Sequence, residues 1–169
     1  VYMNNNFFVI VHADRLHQGK HNEFPGTEYF RKIELIASIL EQRLFNQSKK
    51  VIEAGGHVYF MGTQPDYLKG LSEIQYIPYS NNTEQFGTTA RLIQENRGTH
   101  VLVAGVYSFA CVEGFIKKTR LHDLGITTEV DPNLTEQFFD DYEKKTEKEL
   151  QNIFHREGAI QIDPTISRK

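Results

Sequence analysis

Short apolar runs alternate with amphipathic stripes along almost the whole of this chain, and a glycine stands where each stripe stops. That alternation limits the fold more than any other feature. Runs rich in β-branched and aromatic residues occupy positions 7–13, 57–62, 74–79, 100–107, 126–130 and 159–163, and they read as six strands. Between the first two, Ile33, Ile36, Ala37, Leu40, Leu44, Val51 and Ala54 fall on one helical stripe that Gly55 and Gly56 end. A second helix is predicted from Thr88 to Asn96, stopping at Gly98. A third starts near Cys111, turns Val112, Phe115, Ile116 and Thr119 inward, and stops at Gly125. The last begins at Thr135 as its N-cap, carries Phe138, Tyr142, Ile153 and Phe154 inward, and stops at Gly158. The link between 62 and 74 has room for one helical turn. Strands that alternate with helices demand right-handed crossovers, so the predicted fold is α/β: a doubly wound, mostly parallel six-stranded sheet with helices on both faces. The unbroken apolar run Val101-Leu102-Val103-Ala104-Gly105-Val106 marks a central strand buried on both sides.

A chain of 169 residues suits one domain, 1–169, with one core. Hydrophobic residues make up 39% and charged residues 24%, an ordinary globular balance that argues against disorder. No apolar run approaches the ~20 residues needed to span a bilayer. The first residues lack the basic start and apolar stretch of an export signal, so the expected location is the cytoplasm and no membrane is expected as partner. The net charge is −3 and the basic residues are scattered, which leaves no footprint for a nucleic acid. One cysteine excludes an internal disulfide and a multi-cysteine metal cluster.

In sheets of this kind ligands lie beyond the carboxyl ends of the strands, near the point where strand order reverses. The loops that matter therefore begin at Asp14, Thr63, Ser80, Tyr107 and Asp131. Cys111 falls just past the strand at 100–107, in what reads as the first turn of a helix. Unpaired amides and the helix dipole favour a thiolate there, which predicts a lowered thiol pKa. The plainer alternative is a small hydrophobe packed in the core.

The run Gly105-Val106-Tyr107-Ser108-Phe109-Ala110-Cys111-Val112 resembles the signature of the isochorismatase-like cysteine hydrolases. Phe86-Gly87-Thr88 ahead of Leu92-Ile93, and Leu124-Gly125, Asp131 and the expected helix to Gly158, follow that family's order over most of the chain. The resemblance implies a Rossmann-like three-layer fold with a six-stranded parallel sheet, homo-oligomers, and hydrolysis of amides or related bonds through a Cys-Lys-Asp triad. It makes Cys111 the nucleophile and the amides of Tyr107 and Cys111 the oxyanion hole, with a cis peptide before Tyr107. Two positions depart from it. Where the family has an aspartate ending the first strand, this chain has His12 and, two residues on, Asp14. A shift of two keeps a side chain on the same face, so either one can point into the site. The family's lysine falls on Ser80 or Tyr79, and no lysine lies between Lys69 and Lys117.

The expected site is therefore Cys111, Asp14 and His12 for catalysis, with Tyr107, Ser80, Tyr79 and Phe86 against the substrate. His12, Asp14, His17 and His21 cluster locally, but their spacing fits no helical metal pair or zinc signature. The nicotinamidase branch of the family carries histidines after its second strand, and Thr63-Gln64-Pro65-Asp66-Tyr67-Leu68 has none. No metal is expected. Gly55-Gly56 precedes a strand instead of following one, and neither a Walker loop nor a GxGxxG occurs, so no phosphate-bearing cofactor is expected. The leading expectation is a cysteine hydrolase of a small amide- or ester-like compound. The alternative is a binding or assembly protein that keeps the fold without catalysis, and a nucleotide-binding regulator on the same architecture is a third reading.

Overall fold

Side chains on a strand point alternately to opposite faces, and here that alternation divides the core in two. The computed structural model describes residues 6–14, 16, 28–106 and 111–136. Strand β1 (Asn6–Val11) sends Phe8 and Ile10 into one apolar cluster and Phe7, Val9 and Val11 into another. Strands β2 (His57–Met61) and β4 (His100–Val106) flank it, β3 (Gln75–Ile77) lies outside β2, and β5 (Thr127–Glu136) lies outside β4. The order is β3-β2-β1-β4-β5 and all four pairings are parallel. Helix α1 (Glu28–Glu53) covers the Phe8 face with Ile36, Ala37, Leu40, Leu44 and Val51. Helices α2 (Asn82–Glu95) and α3 (Glu113–Thr119) cover the other through Phe86, Ala90, Ile93 and Phe115. Each large side chain so buried contributes about 1.5–3 kcal/mol. Such two-sided burial is why the strands read as apolar runs.

The α/β architecture predicted from the alternation is the one observed, and a 3-10 turn at Asp66–Leu68 occupies the link after β2. Three boundaries differ. Helix α2 begins at Asn82, six residues before Thr88, because the Asn81 side chain caps it by accepting from the Glu84 N–H at 2.8 Å. Its first residues are polar and exposed, so no apolar periodicity announced them. The third helix does not run to Gly125. Arg120 takes a left-handed conformation (φ 51°) that ends α3, and a 3-10 turn, Leu121–Leu124, carries Leu121 back into the core. Thr135 is no N-cap: it lies in β5, opposite Gly105, and is buried. Pairing breaks between Val103–Val130 and Gly105–Thr135. In the excursion the Asn133 N–H turns back onto Asp131 Oδ1 at 2.9 Å, Pro132 has no N–H to give the ladder, and a β-branched threonine resumes the strand. The rest of the helix expected to reach Gly158, and the strand expected at 159–163, lie outside the described residues.

The strand ends that face the expected crevice share a backbone peculiarity. His12, Gly62 and Gly105, after or near the ends of β1, β2 and β4, all have positive φ (52°, 144° and 122°). At Gly105 a Cβ would lie 2.2 Å from the Val11 carbonyl oxygen, and at Gly62 it would lie 2.9 Å from the Asp14 carboxyl carbon. Only glycine lets β4 approach β1 so closely, and only glycine leaves room for the Asp14 carboxylate.

Candidate functional site

Strand order places the topological switch point between β1 and β4: the chain leaves β1 towards β2 and β3 on one side, then crosses to β4 and β5 on the other. A crevice at that point is where such sheets bind ligands. The residues following β1 are His12, Ala13 and Asp14, and those following β4 lead to Cys111.

The segment after β1 is tied down at each residue. The His12 N–H donates to Met61 O at 3.1 Å, continuing the ladder to β2. The buried Tyr67 hydroxyl donates to Ala13 O at 2.7 Å. Burial pushes that hydroxyl well above the ordinary tyrosine pKa, with Glu41 and Asp14 adding to the effect, so it remains a donor. The Asp14 carboxylate accepts from the Thr63 N–H at 2.9 Å and from the Tyr79 hydroxyl at 2.6 Å. Tyr79, one of the two positions where the resemblance puts a lysine, thus reaches Asp14. Ser80, the other, donates to Asn81 O at 3.3 Å.

His12 points elsewhere. Its Nε2 lies 2.8 Å from Gln85 Oε1, and its ring is flanked by Tyr79 (centroids 5.4 Å apart) and Phe86 (6.3 Å). Its left-handed backbone costs a non-glycine residue on the order of 1–2 kcal/mol, a strain that persists only where surroundings enforce it. Phe86 is 2% exposed and packs edge-on against Phe115 at 5.5 Å, so it forms the wall behind His12. The Lys118 ammonium sits 6.0 Å from the Phe86 ring centroid.

Cys111 occupies, with Val112, a wide π-type turn immediately before α3. It is half-buried and packs against the Phe86–Phe115 cluster. Its pKa is raised, contrary to the value expected of a helix N-terminus. Burial pushes the thiol up, and the positive charge of Lys118 offsets only part of that. The sulfur loses more by leaving water than the Lys118 charge returns. Tyr107 and the peptide bond before it lie outside the described residues.

In the segment after β2 the carboxylate is that of Asp66, engaged by Lys69 Nζ at 2.7 Å. Among the described residues no three His, Cys, Asp or Glu side chains are grouped to hold an ion; His17 and His21 lie outside them. No helix among the described residues is long and apolar enough to cross a membrane.

No family model and no curated protein sequence matches the chain. Solved structures do. An isochorismatase from Pseudomonas putida superposes with a TM-score of 0.54 at 16% identity, over 79% of this chain and 71% of that one. The nicotinamidase of Staphylococcus aureus superposes with a TM-score of 0.56 at 12% identity, over 96% and 99%. The fold is isochorismatase-like. A further isochorismatase family protein agrees, with a TM-score of 0.53 at 16% identity over 79% and 81%. Within this isochorismatase-like fold, sequence reasoning named the side chains at the ends of β1 and β4 but missed Gln85, Tyr67 and Lys118. Gln85 carried no signal, because it lies in the part of α2 that precedes the start predicted at Thr88.

Proposed function

We propose that this protein is a cysteine hydrolase of small amide- or ester-like compounds, with Cys111 as nucleophile and Asp14 and His12 as its acid–base partners. What supports the reading is the supply of a carboxylate, an imidazole and a thiol by the loops after β1 and β4, on the two sides of the switch point. In the reaction, Cys111 Sγ attacks the substrate carbonyl carbon while its proton passes to an acid–base partner. The tetrahedral oxyanion rests on backbone amides, and the returned proton leaves with the amine or alcohol. Water then attacks the thioester and releases the acid, restoring the thiol. Tyr79 hydrogen-bonds Asp14 as a neutral donor, so position 79 supplies no cation to hold a thiolate. The thiol is then deprotonated as the substrate binds, which suits its raised pKa.

A panel of small esters and amides tests this. Wild-type turnover is expected, with a loss of at least about 100-fold in Cys111→Ser and in Asp14→Asn and an unchanged circular dichroism spectrum. Ester hydrolysis that survives Cys111→Ser would sink the proposal. The raised thiol and the missing lysine favour a second reading, a small-molecule binding protein on the same crevice. Its signature is no turnover by the wild type together with a compound that shields Cys111 from alkylation.

A further inference from the structure

Gln85 is a polar side chain with 2% exposure, and every polar group it owns has a partner. Its N–H donates to Asn81 O at 3.0 Å and its carbonyl oxygen accepts from Thr89 Oγ1 at 2.9 Å. The side-chain amide nitrogen donates to Ile77 O at 3.0 Å and Pro78 O at 3.2 Å. These two carbonyls fix which end of the amide is which. Turning the amide over would set its oxygen against two acceptors in a buried site, where an unmatched polar group is costly. The amide oxygen must therefore face His12, and an oxygen can only accept. At 2.8 Å, His12 Nε2 must be the donor.

We infer that Gln85 is a positioning residue for His12: its pinned amide holds the neutral imidazole in the Nε2–H form and leaves Nδ1 as the ring's acceptor. A neutral imidazole has one donor and one acceptor nitrogen, so fixing the first fixes the second. Tyr79 and Phe86 on the ring's flanks limit its rotation, and the left-handed His12 backbone aims the residue off the strand. The same lone pair is then presented at every turnover. The base role of Nδ1 rests on the hydrolase reading; the tautomer does not.

Nitrogen-15 labelling of the seven histidines and a long-range nitrogen–proton correlation spectrum, taken at about pH 8 where ordinary imidazoles are neutral, decide it. The His12 signals, assigned by their loss in His12→Phe, are expected to show a protonated Nε2 and a bare Nδ1. In Gln85→Leu they are expected to move towards values averaged between the two tautomers, while the other histidines hold theirs. A wild-type His12 that is protonated on Nδ1, or averaged, overturns the inference, and so does a Gln85→Leu spectrum with His12 unmoved. If Gln85→Leu does not fold, the wild-type spectrum alone is decisive. A locked tautomer in a protein that hydrolyses nothing sinks the hydrolase reading and leaves this one standing.

Discussion

Tyr79 gives Asp14 a neutral partner. A lysine opposite Asp14 would bring a fixed positive charge into the crevice, whereas the phenol brings a hydrogen bond of 2.6 Å and no charge. The thiol, raised by burial and only partly lowered again by the Lys118 charge, stays protonated above its ordinary value. Alkylation of Cys111 by iodoacetamide should accordingly titrate with a midpoint above the free-thiol value of about 8.5. Tyr79→Lys should lower that midpoint and speed alkylation at neutral pH, and an unchanged profile would mean that position 79 does not act on the sulfur. The linked stability has a definite sign. Between the unfolded and folded thiol pKa values the unfolded chain has released a proton that the folded one keeps, so stability falls as pH rises. Cys111→Ala should remove that part of the alkaline loss, as denaturation across alkaline pH would record. Counting along the chain left the lysine's position on Ser80 or Tyr79, and the bond from Tyr79 to Asp14 spans 65 residues, a pairing that no local pattern encodes. His12 and Asp14 could not be told apart for the same reason: both fall where the first strand ends, and their partners come from α2 and from the loops after β2 and β3.

Helices and strands were legible where apolar periodicity ran through them and illegible where polar groups set the boundary. The α1 stripe from Ile36 to Val51 is buried as its spacing predicts, because its contacts with the sheet demand that spacing. The start of α2 was hidden, since a side-chain cap and an exposed first turn carry no hydrophobic signal. That turn matters beyond stability, as it brings Gln85 to His12. Asn81→Ala should cost about 1 kcal/mol in urea denaturation, and in the nitrogen–proton spectrum it should loosen the His12 signals before any loss of the sheet. A stability unchanged within error would mean that the cap contributes nothing. The excursion in β5 was hidden too: residues 131–134 have loop composition, yet the strand resumes after them and the buried Leu134 anchors the detour to the α1 face.

At the scale of the molecule, the sheet was readable because parallel strands sealed on both faces cannot alternate polar and apolar residues. The site on top of it was readable only as a location. β1 lies between β2 and β4, its residues Phe8, Val9, Ile10 and Val11 have no exposed surface, and its last residue meets Gly105 through bare backbone. Nothing local can open such a strand. Its amide protons have no route to solvent short of losing both flanking ladders at once, so their deuterium exchange should track the global unfolding free energy. The amides of the seven-residue α3 and of the first turn of α2 should exchange sooner, through smaller openings. Exchange at β1 as fast as at α3 would contradict this. The close passage at Gly105 thus joins two properties: the strand that carries His12 and Asp14 at its end is expected to open last among the described elements, while the side-chain partners of those residues, which come from α2 and from the loops after β2 and β3, can part from them sooner.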